Sequence, residues 1–306
     1  MKVDSFLRLA RPGQWAKNSL LFAGYIFSGS FKQETAARDF AMIVIAFISF
    51  CALSAFVYTI NDILDREADI QHPGKRSRPL AAGEISVSQA SVFAFTALTL
   101  GWVLGLYNPF GSHSHFFLFG IALYPVWGVV YSFWLKRVVI VDVLAVAVGF
   151  VVRVASGCWA ISVEISEWLL LCTLFLALFI ALCKRRHELL LMGDQASHVR
   201  AVLPQYSPQL LDVMIGAVAA KTLMAYCLYT FLTGHMLLSS SAQLNGEQSL
   251  LMWTIPLVIC GVFRYLFLAY RTDVAGTPET MLRDRPLVLC VIVWVIVVAV
   301  LGLFAR

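Results

Sequence analysis

Charged residues are scarce in this chain: Asp, Glu, Lys and Arg make up only 13% of its 306 residues, about half the share that a water-soluble globule carries. With 60% hydrophobic residues and a mean hydropathy of +0.80, that deficit excludes a soluble fold and leaves an integral membrane protein, a single domain over residues 1–306. Paired-cysteine spacing is also missing. Cys51, Cys158, Cys172, Cys183, Cys227, Cys260 and Cys290 lie in or beside apolar runs with no C-x-x-C, which excludes a zinc framework or disulfide scaffold and leaves small buried hydrophobes. No basic tail exists, so nucleic acid is excluded as a partner, and the net charge of +5 points at most to anionic lipid or phosphate ligands. No A-x-A cleavage site follows the first apolar run, and Trp15 and Lys17 read as interface anchors, which argues against a signal peptide.

What the chain does have is apolar runs, at about 18–31, 40–60, 86–107, 115–135, 138–160, 167–183, 210–233, 249–270 and 286–304. Most are near the ~20 residues needed to cross a bilayer as helix. They predict an all-α polytopic membrane bundle of about nine transmembrane helices, preceded by an interfacial amphipathic segment over 1–17 in which Pro12 and Gly13 interrupt "FLRLARPGQW". If the N-terminus is cytoplasmic, the inner segments hold 17 of the 23 Lys and Arg residues and the outer ones only Lys32, Arg38 and Arg306. The positive-inside rule then predicts a multi-pass protein of the inner (cytoplasmic) membrane, with its charged motifs on the cytoplasmic face and its C-terminus outside.

The densest charge is "NDILDREADIQHPGKRSR", Asn61 to Arg78. Asp62, Asp65 and Asp69 are spaced by three and then four, so a helix continuing through them projects all three carboxylates from one face. Like charges there repel, whereas a bound Mg²⁺, which takes one or two carboxylates and fills its other positions with water and phosphate oxygens, explains the pattern. Behind them His72, Pro73 and Gly74 break the helix and present Lys75, Arg76 and Arg78. The order acid then base reads as metal then phosphate. The bland reading of the same charges is a solvated juxtamembrane loop.

Charges inside the spans are costly unless they face the bundle interior or a wet cavity. Asp142 and Arg153, eleven residues apart with Gly149 between them, share one helix face at ~16 Å separation. They read either as a cavity wall or as structural interhelical partners, and Lys221 and Arg264 carry the same ambiguity. Tyr131, Lys136 and Arg137 close "YSFWLKR", and Lys184, Arg185, Arg186 and Glu188 end the sixth run in "KRRHELLL", where His187 reads as a loop residue. Basic clusters at helix C-termini are also favoured by the macrodipole alone.

"NDILDREAD" fits NDxxDxxxD, and here the chain resembles the UbiA superfamily of intramembrane prenyltransferases. "RPGQWAKN", "NDILDREADIQHPGKRSRPLAAG", "YSFWLK", "KRRHEL" and "FRYLF…GTPETMLRDRPL" are similar, in order and from end to end, to its decaprenyl-phosphate phosphoribosyltransferase branch. The second aspartate-rich motif usual in the superfamily is replaced by "KRRHELLLMGD", with Glu188 and Asp194 behind a basic cluster. The resemblance implies Mg²⁺ held by Asp62, Asp65 and Asp69, with 5-phosphoribosyl 1-diphosphate and a polyprenyl phosphate as substrates. It also implies a product that leads to an arabinofuranose donor for the cell envelope. It makes Asp62, Asp65, Asp69 and Lys136 the catalytic set. Candidates for substrate contact are Lys17, Asn61, Lys75, Arg76, Arg78, Tyr131, Asp142, Arg153, Lys184, Arg185 and Glu188, with Glu188 pairing with Lys184 and Gly-containing faces such as "GFVVRVASG" giving the lipid tail room. An intramembrane homo-oligomer is compatible with it. Two rival expectations stand beside this: a prenyltransferase moving a prenyl group from its diphosphate to an aromatic or haem-like acceptor, and a non-enzymatic transporter or scaffold for lipid phosphates.

Overall fold

In the computed structural model the apolar runs become helices, and every element among the described residues is helical. The structure describes residues 2–71, 74–107, 115–192, 202–232, 250–271 and 284–304. The elements in order are α1 (Lys2–Ala10), a 3₁₀ helix (Pro12–Leu21), α2 (Phe22–Phe27), α3 (Ala36–Leu64), α4 (Arg66–Gln71), α5 (Val87–Leu106), α6 (His115–Phe133), α7 (Val141–Ala160), α8 (Glu167–Met192), α9 (Pro208–Leu232), α10 (Ile255–Tyr270) and α11 (Arg285–Phe304), joined by shorter 3₁₀ turns. Among the described residues seven helical segments are long and apolar enough to span a membrane, and an eighth, 285–301, is shorter. The expected first span differs. Residues 12–27 form a ten-residue 3₁₀ helix followed by a six-residue α-helix, so the first crossing is a broken segment and the count of about nine is approximate.

Local sequence sets several of these ends. Ser86 caps α5 through a reciprocal box, its hydroxyl accepting from the Gln89 N–H at 3.2 Å while the Gln89 carboxamide accepts from the Ser86 N–H at 3.1 Å, which satisfies two backbone donors a helix start otherwise leaves open. α8 does not stop at residue 183 as the hydropathy suggests. It runs to Met192 because "CKRRHELLLM" holds no glycine or proline to end it. Lys184 to Glu188 therefore sit on a helix, and His187, expected in a loop, is a buried helical side chain.

In lipid, apolar burial gives little drive to helix association, so close packing and polar bonds must hold the bundle. α3 supplies Ile43, Phe50 and Leu53 to a core with Leu21, Phe117, Ile121 and Val152, and a second core joins α8, α9 and α10 around Phe179, Leu211, Ile215 and Leu268. The 3₁₀ helix lies so tightly on α7 that a Cβ at Gly157 would come within 2.1 Å of the Leu21 carbonyl oxygen. The Gly157 end of the face expected to give a lipid tail room is thus filled by protein backbone.

Candidate functional site

The first charged centre forms where α3 ends. α3 stops at Leu64 and Asp65 caps it, so the three acidic residues do not lie on one unbroken helix face. The i to i+4 pattern is carried across the break by the Asp65 N–H to the Asn61 carbonyl at 2.9 Å and the Asp69 N–H to the Asp65 carbonyl at 2.8 Å. Asp62 and Asp69, both buried, accordingly remain neighbours: Nη1 of Arg78 donates to Asp62 Oδ1 at 3.1 Å and to Asp69 Oδ2 at 2.5 Å. Asp65 turns to the other side, where Lys136 Nζ donates to it at 2.5 Å and to Asn61 Oδ1 at 3.3 Å, and the Asn61 carboxamide donates to its second oxygen at 3.0 Å.

A further cation reaches this centre from the N-terminus. Arg11 donates to Asp62 Oδ1 and its guanidinium lies 5.3 Å from the centre of the Tyr58 ring. Its backbone, at φ 52° and ψ 60°, is left-handed at the junction between α1 and the 3₁₀ helix, a conformation uncommon for a residue with a side chain. Burial pushes the Arg11 guanidinium below its ordinary value, with Asp62 opposing that shift. α1 is itself tied to the loop that carries Arg78: the Ser5 hydroxyl donates to Glu84 at 2.5 Å and Arg8 donates to the same carboxylate. The Ser5 hydrogen bond, followed by Arg8, holds the Glu84 carboxyl below the usual carboxylate range.

The second centre is buried between α7 and α8. Asp142, fully buried in the first turn of α7, accepts from Arg185 Nε at 2.6 Å and from the Tyr206 hydroxyl at 2.7 Å. Arg185 also donates to Glu188 at 3.1 Å. Arg186 reaches across to Asp212 at 2.5 Å. Burial, reinforced by the bond to Asp142, pushes the Tyr206 phenol up to about 12, which keeps its proton in place as a donor at neutral pH.

Arg153 belongs to neither centre. Its described partners are neutral: Asn18 Oδ1 at 2.8 Å, the Gly149 carbonyl at 3.2 Å and the Tyr124 hydroxyl at 2.5 Å, with Ser54 linking Asn18 and Tyr124. The expected stripe of Asp142, Gly149 and Arg153 is therefore divided. Its upper part joins the second centre, and its lower part ties the 3₁₀ helix, α3, α6 and α7 together inside the bundle. Lys17 and Tyr131 are half-buried, on the 3₁₀ helix and near the end of α6, while Lys75 is half-buried and Arg76 exposed. Lys221 is exposed on α9, and Arg264 pairs with Asp284 at 2.8 Å. His72, Pro73 and Asp194 lie outside the described residues.

The chemistry of the first centre fits a hard cation. Asp62, Asp65, Asp69 and Asn61 offer only oxygen acceptors to it, and two carboxylates already converge on the single nitrogen Arg78 Nη1, which stands where a positive charge is wanted. Among the described residues no three carboxylate, histidine or cysteine side chains are spaced to enclose a metal by themselves. The fit is to an ion that takes one or two carboxylates and completes its shell with other oxygens. Sequence reasoning missed Arg11, Asn18, Tyr124 and Tyr206. Arg11 and Asn18 lie inside or beside "RPGQWAKN", where their charge and carboxamide were visible, whereas nothing local marks Tyr206.

Residues 21–283 match the UbiA prenyltransferase family. The chain is 33% identical over 302 residues to the decaprenyl-phosphate phosphoribosyltransferase of Corynebacterium glutamicum, covering 95% of this chain and 85% of that one. It is 30% identical over 305 residues to that of Mycolicibacterium smegmatis, covering 96% and 91%. Its fold is similar to that of a UbiA homologue from Archaeoglobus fulgidus solved with a prenyl diphosphate, GPP, and Mg²⁺, with a TM-score of 0.68, 21% identity and 98% of each chain covered.

Proposed function

The chain belongs to the UbiA prenyltransferase family, and from that premise we propose that it transfers 5-phosphoribose from 5-phosphoribosyl 1-diphosphate to a polyprenyl phosphate, releasing diphosphate. The observation that carries this reading is the first centre, where Arg11, Arg78 and Lys136, from three separate segments, each hold an aspartate of one acidic motif. Three carboxylates and three cations side by side can receive a cation and an anion together. The names of the Corynebacterium and Mycolicibacterium relatives support transfer of a phosphoribosyl group to a polyprenyl phosphate. The basic cluster Lys184, Arg185 and Arg186, standing where the second aspartate-rich motif is usual, suits an anionic acceptor better than a neutral aromatic ring. The Lys and Arg distribution supports an inner-membrane protein with this end facing the cytoplasm.

In this reading Asp62 and Asp69, with Asp65 and Asn61 beside them, hold Mg²⁺, which when bound supplies Lewis-acid stabilisation of the charge on departing diphosphate. Arg11, Arg78 and Lys136 donate to phosphate oxygens of the sugar substrate. Lys17, Lys75, Arg76, Tyr131 and Lys184 are the candidates for the 5-phosphate or the lipid phosphate, while Arg185, buried and held by Asp142 and Glu188, acts as support for them and not as a phosphate ligand. The lipid phosphate oxygen bonds to the anomeric carbon as the carbon–diphosphate bond breaks. Because that oxygen is already anionic near neutral pH, no strong base is needed, and positioning and electrostatics carry the rate.

The test is to incubate purified protein with radiolabelled 5-phosphoribosyl 1-diphosphate, Mg²⁺ and a polyprenyl phosphate and follow label into the organic phase, with an EDTA control. Metal-dependent transfer is expected. No transfer with several lipid phosphates, together with turnover of a prenyl diphosphate and an aromatic acceptor, replaces this reading by prenyl transfer.

A further inference from the structure

Between the two centres runs a turn that is strained where strain is least expected. Ile140, a β-branched residue at the N-cap of α7, has φ 70° and ψ −45°, close to the γ-turn of positive φ that is rare and costly even for small residues. Such a conformation persists only where its surroundings impose it. Here a group from far along the chain bonds the strained residue: the Ile140 N–H donates to the Tyr206 hydroxyl at 2.7 Å. That hydroxyl in turn donates to Asp142 Oδ1 at 2.7 Å, and Arg185 fixes the other carboxylate oxygen at 2.6 Å. The Tyr206 side chain is buried, so its hydroxyl is anchored on both sides.

The other end of the same turn is Lys136. The 3₁₀ turn Leu135–Arg137 leads directly into residues 138–140, and its amides are closed by Arg137 N–H to the Trp134 carbonyl at 3.0 Å and Val138 N–H to the Leu135 carbonyl at 3.2 Å. A peptide this short and this bonded transmits the backbone direction at Ile140 to the side chain four residues earlier. From that turn Lys136 Nζ reaches Asp65 at 2.5 Å.

We propose that Tyr206 is a positioning residue for Lys136: its hydroxyl holds Ile140 in the strained turn that delivers the Lys136 ammonium to Asp65 and Asn61. The second centre is then the fixed support of the first, and a residue in the loop before α9 governs a cation at the end of α6. The inference rests on the proposed function only where turnover is its readout.

The test uses three full-length variants, Tyr206→Phe, Ile140→Gly and the double, each purified beside the parent. Two quantities are read: kcat and KM for phosphoribosyl transfer, and the rate at which an amine-specific acylating reagent labels Lys136, followed by mass spectrometry. Tyr206→Phe keeps the ring in its packing and removes the hydroxyl. It is expected to lower kcat/KM about tenfold to a hundredfold through misplacement of Lys136, and to raise Lys136 labelling. Glycine adopts positive φ without strain, so at residue 140 it removes the need for the hydroxyl. The double variant should return to within about twofold of Ile140→Gly alone on both readouts, a non-additivity that independent sites do not show. A defect that persists undiminished in the double variant, or unchanged labelling in Tyr206→Phe, overturns the positioning role. If the parent shows no transfer while labelling follows the expected pattern, the proposed reaction fails and the positioning of Lys136 stands.

Discussion

The two charged centres are built from the same residue types and differ in what holds them. Around Asp62 the cations come from segments between the membrane-crossing helices: Arg11 from the α1 junction, Arg78 from the loop before α5 and Lys136 from the turn after α6. Around Asp142 the cation is Arg185 from within α8, with the Tyr206 hydroxyl beside it, and the cations differ in exposure: 3% for the Arg185 side chain against 22% for Arg11 and 25% for Arg78. A guanidinium on a surface segment can leave its carboxylate for a ligand at modest cost. One buried between two helices cannot, because each bare ion would carry several kcal/mol of desolvation. The first centre is thus exchangeable and the second is fixed.

The largest effect that sharpens this contrast is on stability. Asp142→Ala strands Arg185 in the bundle and is expected to cost about 3 kcal/mol or more, read as unfolding in detergent, while the Asp142→Leu/Arg185→Met pair should recover most of the loss. A cost under about 1 kcal/mol, the worth of a surface pair, would erase the distinction. At the first centre the effect should fall on turnover instead: Asp65→Asn is expected to lower kcat about a hundredfold with folding and polyprenyl phosphate binding retained, and equal losses in all three would break the comparison. Arg11→Gln comes next, with about a tenfold rise in KM for the sugar diphosphate in a steady-state titration. The smallest effect is pH-dependent. Because the folded Glu84 carboxyl lies below its ordinary value of 4.5, its contribution is present above that ordinary value and is lost as pH falls through the lower folded one. Limited proteolysis of α1 should therefore rise in acid, and Glu84→Gln should show that susceptibility already at neutral pH.

Much of the fold was legible because hydropathy needs only composition and length. The runs at 86–107 and 138–160 match α5 and α7 within a few residues. The run at 167–183 was cut short for a physical reason: Lys184, Arg185 and Arg186 end an apolar stretch without ending a helix. The acidic motif was legible from its spacing, but the break at Asp65 was not, since no glycine or proline marks it. Arg11 was hidden in plain view. Its sequence shows a cation before a proline, whereas its aim at Asp62 depends on a left-handed backbone and on a 3₁₀ helix docked against α7. Tyr206 could not be found at all from local pattern, because its partners lie 64 and 66 residues away.

The contact between the Leu21 backbone and Gly157 also sets an order of assembly during synthesis. The segment behind Arg11 leaves the ribosome early, yet the α7 surface it rests on is made 136 residues later, about 7 to 27 seconds at ordinary elongation rates. Until α7 arrives, the 3₁₀ helix has only its seat on α3, where Leu21 packs with Ile43, Phe50 and Leu53 and Asn18 bonds Ser54, and its other side stays open. Completing α7 supplies the backbone surface that closes that side, so the segment behind Arg11 is fully docked only once the fifth apolar run has been made.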